Sequence, residues 1–214
     1  MGKVLSDEQI RRYREEGFVS PVDVMSEQEA SEYLHRFEEA ERRFPALAHA
    51  HKRNNVHLSF KCLDELAHHR VILDAVEDLI GAHFSLWATV LFCKEPQSPH
   101  YVSWHQDATY MGLDSIDFPT PWIALSPSNR DTGCMTMISG SHHSEIQIHK
   151  DTFGVHMLSS YRKEWMEKLD AEKYIQGKNS SIIVPSFEKC VSQNIVGYSF
   201  RQMRRWKNTR LNLW

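Results

Sequence analysis

The 214-residue sequence has no long apolar run, few cysteines and no strong excess of either charge. Its longest uncharged apolar stretch covers residues 84–93, about half of the length that a helix needs to cross a bilayer. The charged N-terminus also lacks the apolar core of a signal peptide. These absences predict a soluble, cytoplasmic protein that does not span a membrane.

Charge balance and cysteine spacing exclude further classes of protein. The chain has 25 Lys and Arg against 28 Asp and Glu, so it lacks the global positive charge of a general nucleic-acid-binding protein. Its four cysteines lie far apart without a Cys-x-x-Cys pair, which predicts neither a disulfide framework nor a thiolate zinc site. We expect one domain of ordinary size, or one domain with an appendage, whose cysteines are reduced and mostly buried.

Capping signals and apolar periodicity predict three helices in the first 81 residues. Ser6 and Ser26 are each followed three positions later by Gln or Glu, which is the pattern of a capping box. Gly2 and Ser6 also satisfy a minimal myristoylation pattern, but we favour the helix cap. The predicted helices cover residues 7–16, 26–44 and 63–80.

After Gly81 the hydrophobic period changes from 3.6 to 2. Residues 83–94 alternate as a strand that is buried largely on both faces. Shorter strands are predicted at residues 101–105, 121–125 and 134–138, with turn residues between them. Helices followed by strands predict an α+β fold with an antiparallel sheet or barrel.

The last third of the sequence differs in charge from the rest. Residues 151–214 hold 11 Lys and Arg against 6 Asp and Glu, whereas residues 1–150 hold 14 against 22. A helix near residues 165–169 and a strand at 181–184 are possible there. Residues 191–214 have five basic residues, no acid and little periodicity, so we predict a loosely ordered end.

Thirteen histidines raise the question of a metal site, but spacing alone decides little. A His followed two residues later by Asp or Glu occurs at His105, His143 and His149, where composition alone predicts about two. Of these, His105 ends a predicted strand, on which residues i and i+2 share a face. His105 and Asp107 could therefore supply two ligands of a 2-His-1-carboxylate site, whose open positions suit Fe(II), a cosubstrate and O2.

Four separated blocks of the sequence resemble the phytanoyl-CoA dioxygenase family of Fe(II)- and 2-oxoglutarate-dependent oxygenases. The blocks are Lys94-Glu95-Pro96, Trp104-His105-Gln106-Asp107, Trp122-Ile123-Ala124-Leu125 and Gly140-Ser141-His142, and the likeness covers about residues 6–153. It implies N-terminal helices packed on a double-stranded β-helix, or jelly roll. It also implies that His105 and Asp107 are catalytic iron ligands, and that Lys94 and Trp122 help to hold 2-oxoglutarate.

The implied activity is oxidation of a small-molecule substrate with O2, with hydroxylation as the expected outcome. A chlorinating branch of related enzymes is also similar, but there a small residue leaves room for chloride where this chain has Asp107. Other interpretations of two positions stay open: Lys94 could be a charge at a strand end, and Trp122 could only fill core volume. The substrate and the oligomeric state are not predicted.

The C-terminal part departs from the family pattern. The family has a distal His followed about ten residues later by an Arg that binds the far carboxylate of 2-oxoglutarate. Here no His follows His156, and Arg162 lies only six residues after it. We therefore predict a family-like domain at residues 1–153, an atypical basic segment at 154–214 and a jelly roll incomplete at its C-terminus. The alternative function is a truncated or frameshifted homologue that is catalytically impaired and acts as a binding protein or is inactive.

Overall fold

The computed structural model describes a helical N-terminal part and the strands of three antiparallel sheets. The described residues are 2–44, 52–92, 104–110, 118–129, 132, 134–146, 148–150, 160–161, 174–176, 181–184 and 197–204. No helix in these ranges is long and apolar enough to span a membrane. Two of the four cysteines, Cys62 and Cys134, lie in these ranges, and both are buried, as expected.

The described part of the first 80 residues contains the helices α1 (Asp7–Glu16), α2 (Glu27–Arg43), α3 (Lys61–Ala67) and α4 (Arg70–Ile80). The predicted cap at Ser6 is confirmed, because its side chain accepts from the Gln9 N–H and the Gln9 side chain accepts from the Ser6 N–H. α2 also begins as predicted, with Ser26 accepting from the Glu29 N–H.

The prediction of one helix over residues 63–80 is wrong, because the helix is interrupted between α3 and α4. His69 has an extended backbone there and begins α4. Its Nε2 atom lies 3.3 Å from a carboxylate oxygen of Glu29 on α2. The break thus coincides with a contact between helices, which the apolar periodicity of one segment does not record.

The strands of the described residues are numbered in chain order. They are β1 (Val19–Val22), β2 (Lys52–Asn54), β3 (Phe84–Phe92), β4 (Thr120–Ala124), β5 (Thr136–Ile138), β6 (His149–Lys150), β7 (Ser160–Tyr161), β8 (Tyr174–Gln176), β9 (Ser181–Val184) and β10 (Gly197–Arg204). The main sheet has the order β1-β9-β4-β10-β3-β2, and β5-β8 and β6-β7 form two further pairs. All of these pairings are antiparallel.

Part of residues 191–214, which were expected to be loosely ordered, forms strand β10, and this corrects the expectation from the sequence. β10 lies inside the main sheet, where it pairs with β3 along its whole length and with β4 at residues 197–199. The strand predicted at residues 181–184 is confirmed as β9, which pairs with β1 and β4. The helix predicted near residues 165–169 lies outside the described residues.

Strand β4 separates two hydrophobic clusters because its side chains alternate between the two faces of the sheet. Ile123 belongs to a cluster with the helices, which includes Leu5, Phe37, Leu63, Leu66, Ile72 and Leu91. Trp122 belongs to a second cluster, which we call the inner cluster and which contains Phe18, Trp122, Cys134, Met135 and Met137. One face of the main sheet therefore packs against helices, and the other faces β5 and the segment before it.

Candidate active site

The chain segment that carries the predicted ligands follows a single β-bridge at Trp104 and enters a 3-10 turn at Asp107–Tyr110. His105 and Asp107 are 2% and 0% exposed. Nε2 of His105 lies 3.3 Å from Oδ1 of Asp107. The structure therefore brings the predicted imidazole and carboxylate together inside the protein.

The chemistry of this donor pair fits a ferrous ion. Imidazole nitrogen and carboxylate oxygen are the two ligand types of the 2-His-1-carboxylate iron site. Two adjacent ligands of an octahedral metal, each bound at about 2.1 Å, lie about 3 Å apart, which is close to the observed separation. Within the described part of the chain, no third His, Cys, Asp or Glu completes a group that could hold a metal.

Gln106, between the two predicted ligands, is a functional candidate that the sequence did not single out. Its side chain is 1% exposed, and its Nε2 donates to the backbone carbonyl of Glu145 at 3.4 Å. This bond joins the ligand segment to residues 140–146, which follow β5. Its only signal in the sequence is its place inside the Trp-His-Gln-Asp block.

Trp122 lies in the inner cluster, where its side chain is buried among apolar neighbours. That position agrees with the interpretation that it fills core volume, and its role toward 2-oxoglutarate stays a prediction. Lys94, the other residue predicted to hold 2-oxoglutarate, lies outside the described residues. Residues 101–103 and His156 also lie outside them.

Thr120 is a second residue that sequence reasoning missed. It lies two positions before Trp122 on β4, and so it shares the face that carries the inner cluster. The residue is fully buried, and its hydroxyl has no hydrogen-bond partner in the part of the structure that is described. A buried hydroxyl in this state is costly, so it is a natural contact for a polar ligand.

The histidines near the end of β5 do not join the pair at His105. Residues Ser141–His143 form a 3-10 turn in which Nε2 of His142 hydrogen-bonds to the backbone carbonyl of Arg14, at 2.9 Å. The backbone of His149 lies in β6. The third ligand was unassigned from the sequence, and the described residues leave it so.

A family model that matches most of the chain shows which family the protein belongs to. The family model for phytanoyl-CoA dioxygenase (PhyH) matches residues 13–178. The chain belongs to the PhyH family. The match continues past residue 153, so the likeness to PhyH extends beyond the stretch that carries the sequence motifs. No curated protein matches the chain significantly.

Solved structures share the fold of this PhyH chain. The apo form of the non-heme monooxygenase ThoJ is 24% identical, with a TM-score of 0.78 over 92% of this chain and 77% of its own. The non-heme alpha ketoglutarate dependent carbocyclase SnoK from nogalamycin biosynthesis is 20% identical, with a TM-score of 0.74 over 94% and 84%. The epimerase SnoN, solved with Fe3+, alpha ketoglutarate and nogalamycin RO, is 19% identical, with a TM-score of 0.69 over 92% and 83%.

The first of these structures is described as a non-heme enzyme, the second as a non-heme alpha ketoglutarate dependent enzyme, and the third as a complex with Fe3+ and alpha ketoglutarate, and they share the fold of this chain. They are a monooxygenase, a carbocyclase and an epimerase. The fold alone therefore does not fix the reaction, which depends on the residues of each site. Family membership and these neighbours together support an oxidoreductase.

Proposed function

We propose that this PhyH protein is an Fe(II)- and 2-oxoglutarate-dependent dioxygenase that hydroxylates a small-molecule metabolite. The observation that carries the proposal is the buried contact between His105 and Asp107, which presents one imidazole and one carboxylate at the separation of adjacent metal ligands. When bound, iron and 2-oxoglutarate would supply the oxidising power that no protein side chain has.

The residues of the chain have distinct parts in this proposal. Nε2 of His105 and Oδ1 of Asp107 would bind the metal, and the bond from Gln106 to the Glu145 carbonyl would keep the segment between them from turning. Burial excludes water from the pair, which strengthens the electrostatic interactions there. Trp122 would contribute an apolar wall on the face of the sheet that carries the inner cluster.

The carboxylate of Asp107 favours hydroxylation over halogenation. An anionic side chain that already holds a position on the metal leaves that position closed to chloride. The structure places this carboxylate beside His105 and away from solvent. We therefore expect the substrate to receive an oxygen atom, with conversion of 2-oxoglutarate to succinate and carbon dioxide.

The second candidate is the catalytically impaired homologue. It is favoured by the absence, among the residues that the structure describes, of a third ligand near His105. It is favoured also by the sequence, in which no His from residue 142 onward is followed by an Arg about ten residues later. In that case the chain would keep the PhyH fold without turnover.

Anaerobic titration distinguishes the two candidates. Addition of Fe(II) and 2-oxoglutarate to the purified protein should produce a weak visible charge-transfer band, and Asp107→Ala should abolish it. Asp64→Ala is the matched control, because Oδ1 of Asp64 lies 3.2 Å from Nδ1 of His68 in a similar pair that is exposed on α3. This variant should keep the band. Absence of both the band and succinate formation in air would support the impaired homologue.

A further inference from the structure

The turn at residues 140–143 packs against the C-terminal end of α1. The Gly140 N–H donates to the carbonyl of Glu16 at 2.7 Å, and Nε2 of His142 lies 2.9 Å from the carbonyl of Arg14. Carbonyls in the last turn of a helix have no partner within the helix. The turn thus supplies two donors to a helix end that is more than 120 residues distant in sequence.

The carbonyl of Arg14 decides which nitrogen of His142 carries the proton. A carbonyl oxygen only accepts, so Nε2 is the protonated nitrogen of the neutral ring and Nδ1 has a lone pair. Nδ1 is buried and, within the described residues, has no hydrogen-bond partner. A second proton would therefore create a buried charged donor without an acceptor.

Burial lowers the pKa of His142, and the neighbouring His143 lowers it further, while the bond to the Arg14 carbonyl raises it. The charged groups of the packed helix end are Arg14, Glu15 and Glu16. Glu15 pairs with Arg11 and Glu16 with Arg12, so both carboxylates already have cationic partners on α1. The ring of His142 is consequently held in its neutral form at neutral pH.

Gly17 provides the space that the His142 ring occupies. This glycine ends α1 with a φ of +87°, a conformation that a side chain disfavours. A Cβ atom built on Gly17 would also overlap Nδ1 of His142. The end of the helix is therefore shaped to accept this imidazole by both its backbone conformation and its lack of a side chain.

The same loop reaches the candidate metal ligands at its other end. The carbonyl of Glu145, three residues after His142, accepts from the side chain of Gln106. Gln106 is buried and lies between His105 and Asp107. A continuous path of hydrogen bonds and covalent chain thus leads from the end of α1 to the ligand segment.

We propose that His142 is a positioning residue for the metal site. Its neutral ring fastens the loop of residues 140–146 to α1, and the loop in turn holds Gln106 and keeps the two ligands beside it in place. This inference rests on the proposed function, because it assigns His105 and Asp107 to a metal. It does not assign His142 itself to the metal. Nε2 of His142 could bind the metal only if it gave up its hydrogen bond to the Arg14 carbonyl.

Binding of Co(II) to the protein without iron tests the proposal at pH 7.5. His142→Ala should weaken Co(II) binding about tenfold, as the loss of an outer positioning group does in other metal sites. His142→Gln should restore binding to within about threefold, because its side-chain amide can donate from nearly the same place. His143→Ala is the control, since it removes an exposed imidazole from the same turn, and it should bind Co(II) normally. Normal binding by His142→Ala, or a failure of the glutamine variant to restore it, would overturn the proposal.

Hydrogen exchange of the metal-free protein separates this inference from the proposed function. The pKa of His142 lies below its ordinary value of 6.5, so the fastening is complete above that pH and is lost as the pH falls below it. Protection factors of residues 104–107 and 140–146 should therefore decrease as the pH is lowered from 7.5 to well below 6.5, and should stay constant in His142→Gln. An equal decrease in both proteins would refute the proposed positioning role of His142, whether or not the site binds a metal.

Discussion

Replacement of Thr120 by valine should stabilise the folded protein although it removes a polar group. The hydroxyl of Thr120 is fully buried and, among the described residues, makes no hydrogen bond. An unsatisfied buried polar group costs about 1–3 kcal/mol, and valine has nearly the same shape without the hydroxyl. The backbone should not move, because the residue lies in β4 between Pro119 and Pro121.

The expected gain is about 1–2 kcal/mol in the free energy of unfolding. For a chain of this length, that gain raises the midpoint of thermal unfolding by about 2–8 °C. Urea unfolding and calorimetry without iron or 2-oxoglutarate should both detect it. Thr89→Val is the matched control, because this buried threonine does use its hydroxyl, 2.7 Å from Nδ1 of His57. It should lose about 1–2 kcal/mol, since His57 then lacks a partner.

The two variants must differ in sign for the reasoning to hold. If Thr120→Val destabilises the protein by as much as Thr89→Val does, the hydroxyl of Thr120 has an energetic role in the metal-free protein, and the argument is refuted. Isothermal titration with 2-oxoglutarate adds a functional measurement, because Thr120 shares a strand face with Trp122. A more stable variant with weaker binding would assign the hydroxyl to a ligand.

Three further variants test the packing of the helical part of the protein. Gly17→Ala should destabilise the protein by about 1 kcal/mol or more and weaken Co(II) binding as His142→Ala does, because the new methyl displaces the imidazole. Asp78→Asn should lower the urea midpoint at pH 7. Burial raises the pKa of Asp78, but three backbone N–H donors outweigh burial and lower it below 3.8, so its stabilisation is present above that pH and the difference should vanish as the pH falls further. Leu63→Ala should cost about 2–5 kcal/mol in urea unfolding, because this side chain is wholly buried in the helical cluster.

The N-terminal helices could be predicted because their signals are local. The cap of Ser6 and its reciprocal partner Gln9 are three residues apart, so one short segment contains the whole interaction. The break at His69 could not be predicted in this way, because the contact of its ring with Glu29 joins residues on separate helices. A local sequence pattern therefore predicts the start of a helix better than it predicts an interruption that depends on a contact with another helix.

The residues of the candidate site show the same difference between local and non-local signals. His105 and Asp107 could be proposed as ligands because two such side chains on one short segment leave a pattern in the sequence, and the structure places them 3.3 Å apart. Gln106 and Thr120 were missed because their significance depends on a distant carbonyl in one case and on the absence of any partner in the other. Neither property can be read from spacing or residue type.

The order of the main sheet bears on whether the C-terminal region could be a separate unit. β9 lies between β1 and β4, and β10 lies between β4 and β3. Removal of residues 154–214 would leave β4 without either of its neighbours and would expose new strand edges on β1 and β3. We therefore expect the residues on either side of the change in net charge to fold together. The basic segment contributes two of the six strands of the main sheet, which argues against a jelly roll that ends at residue 153.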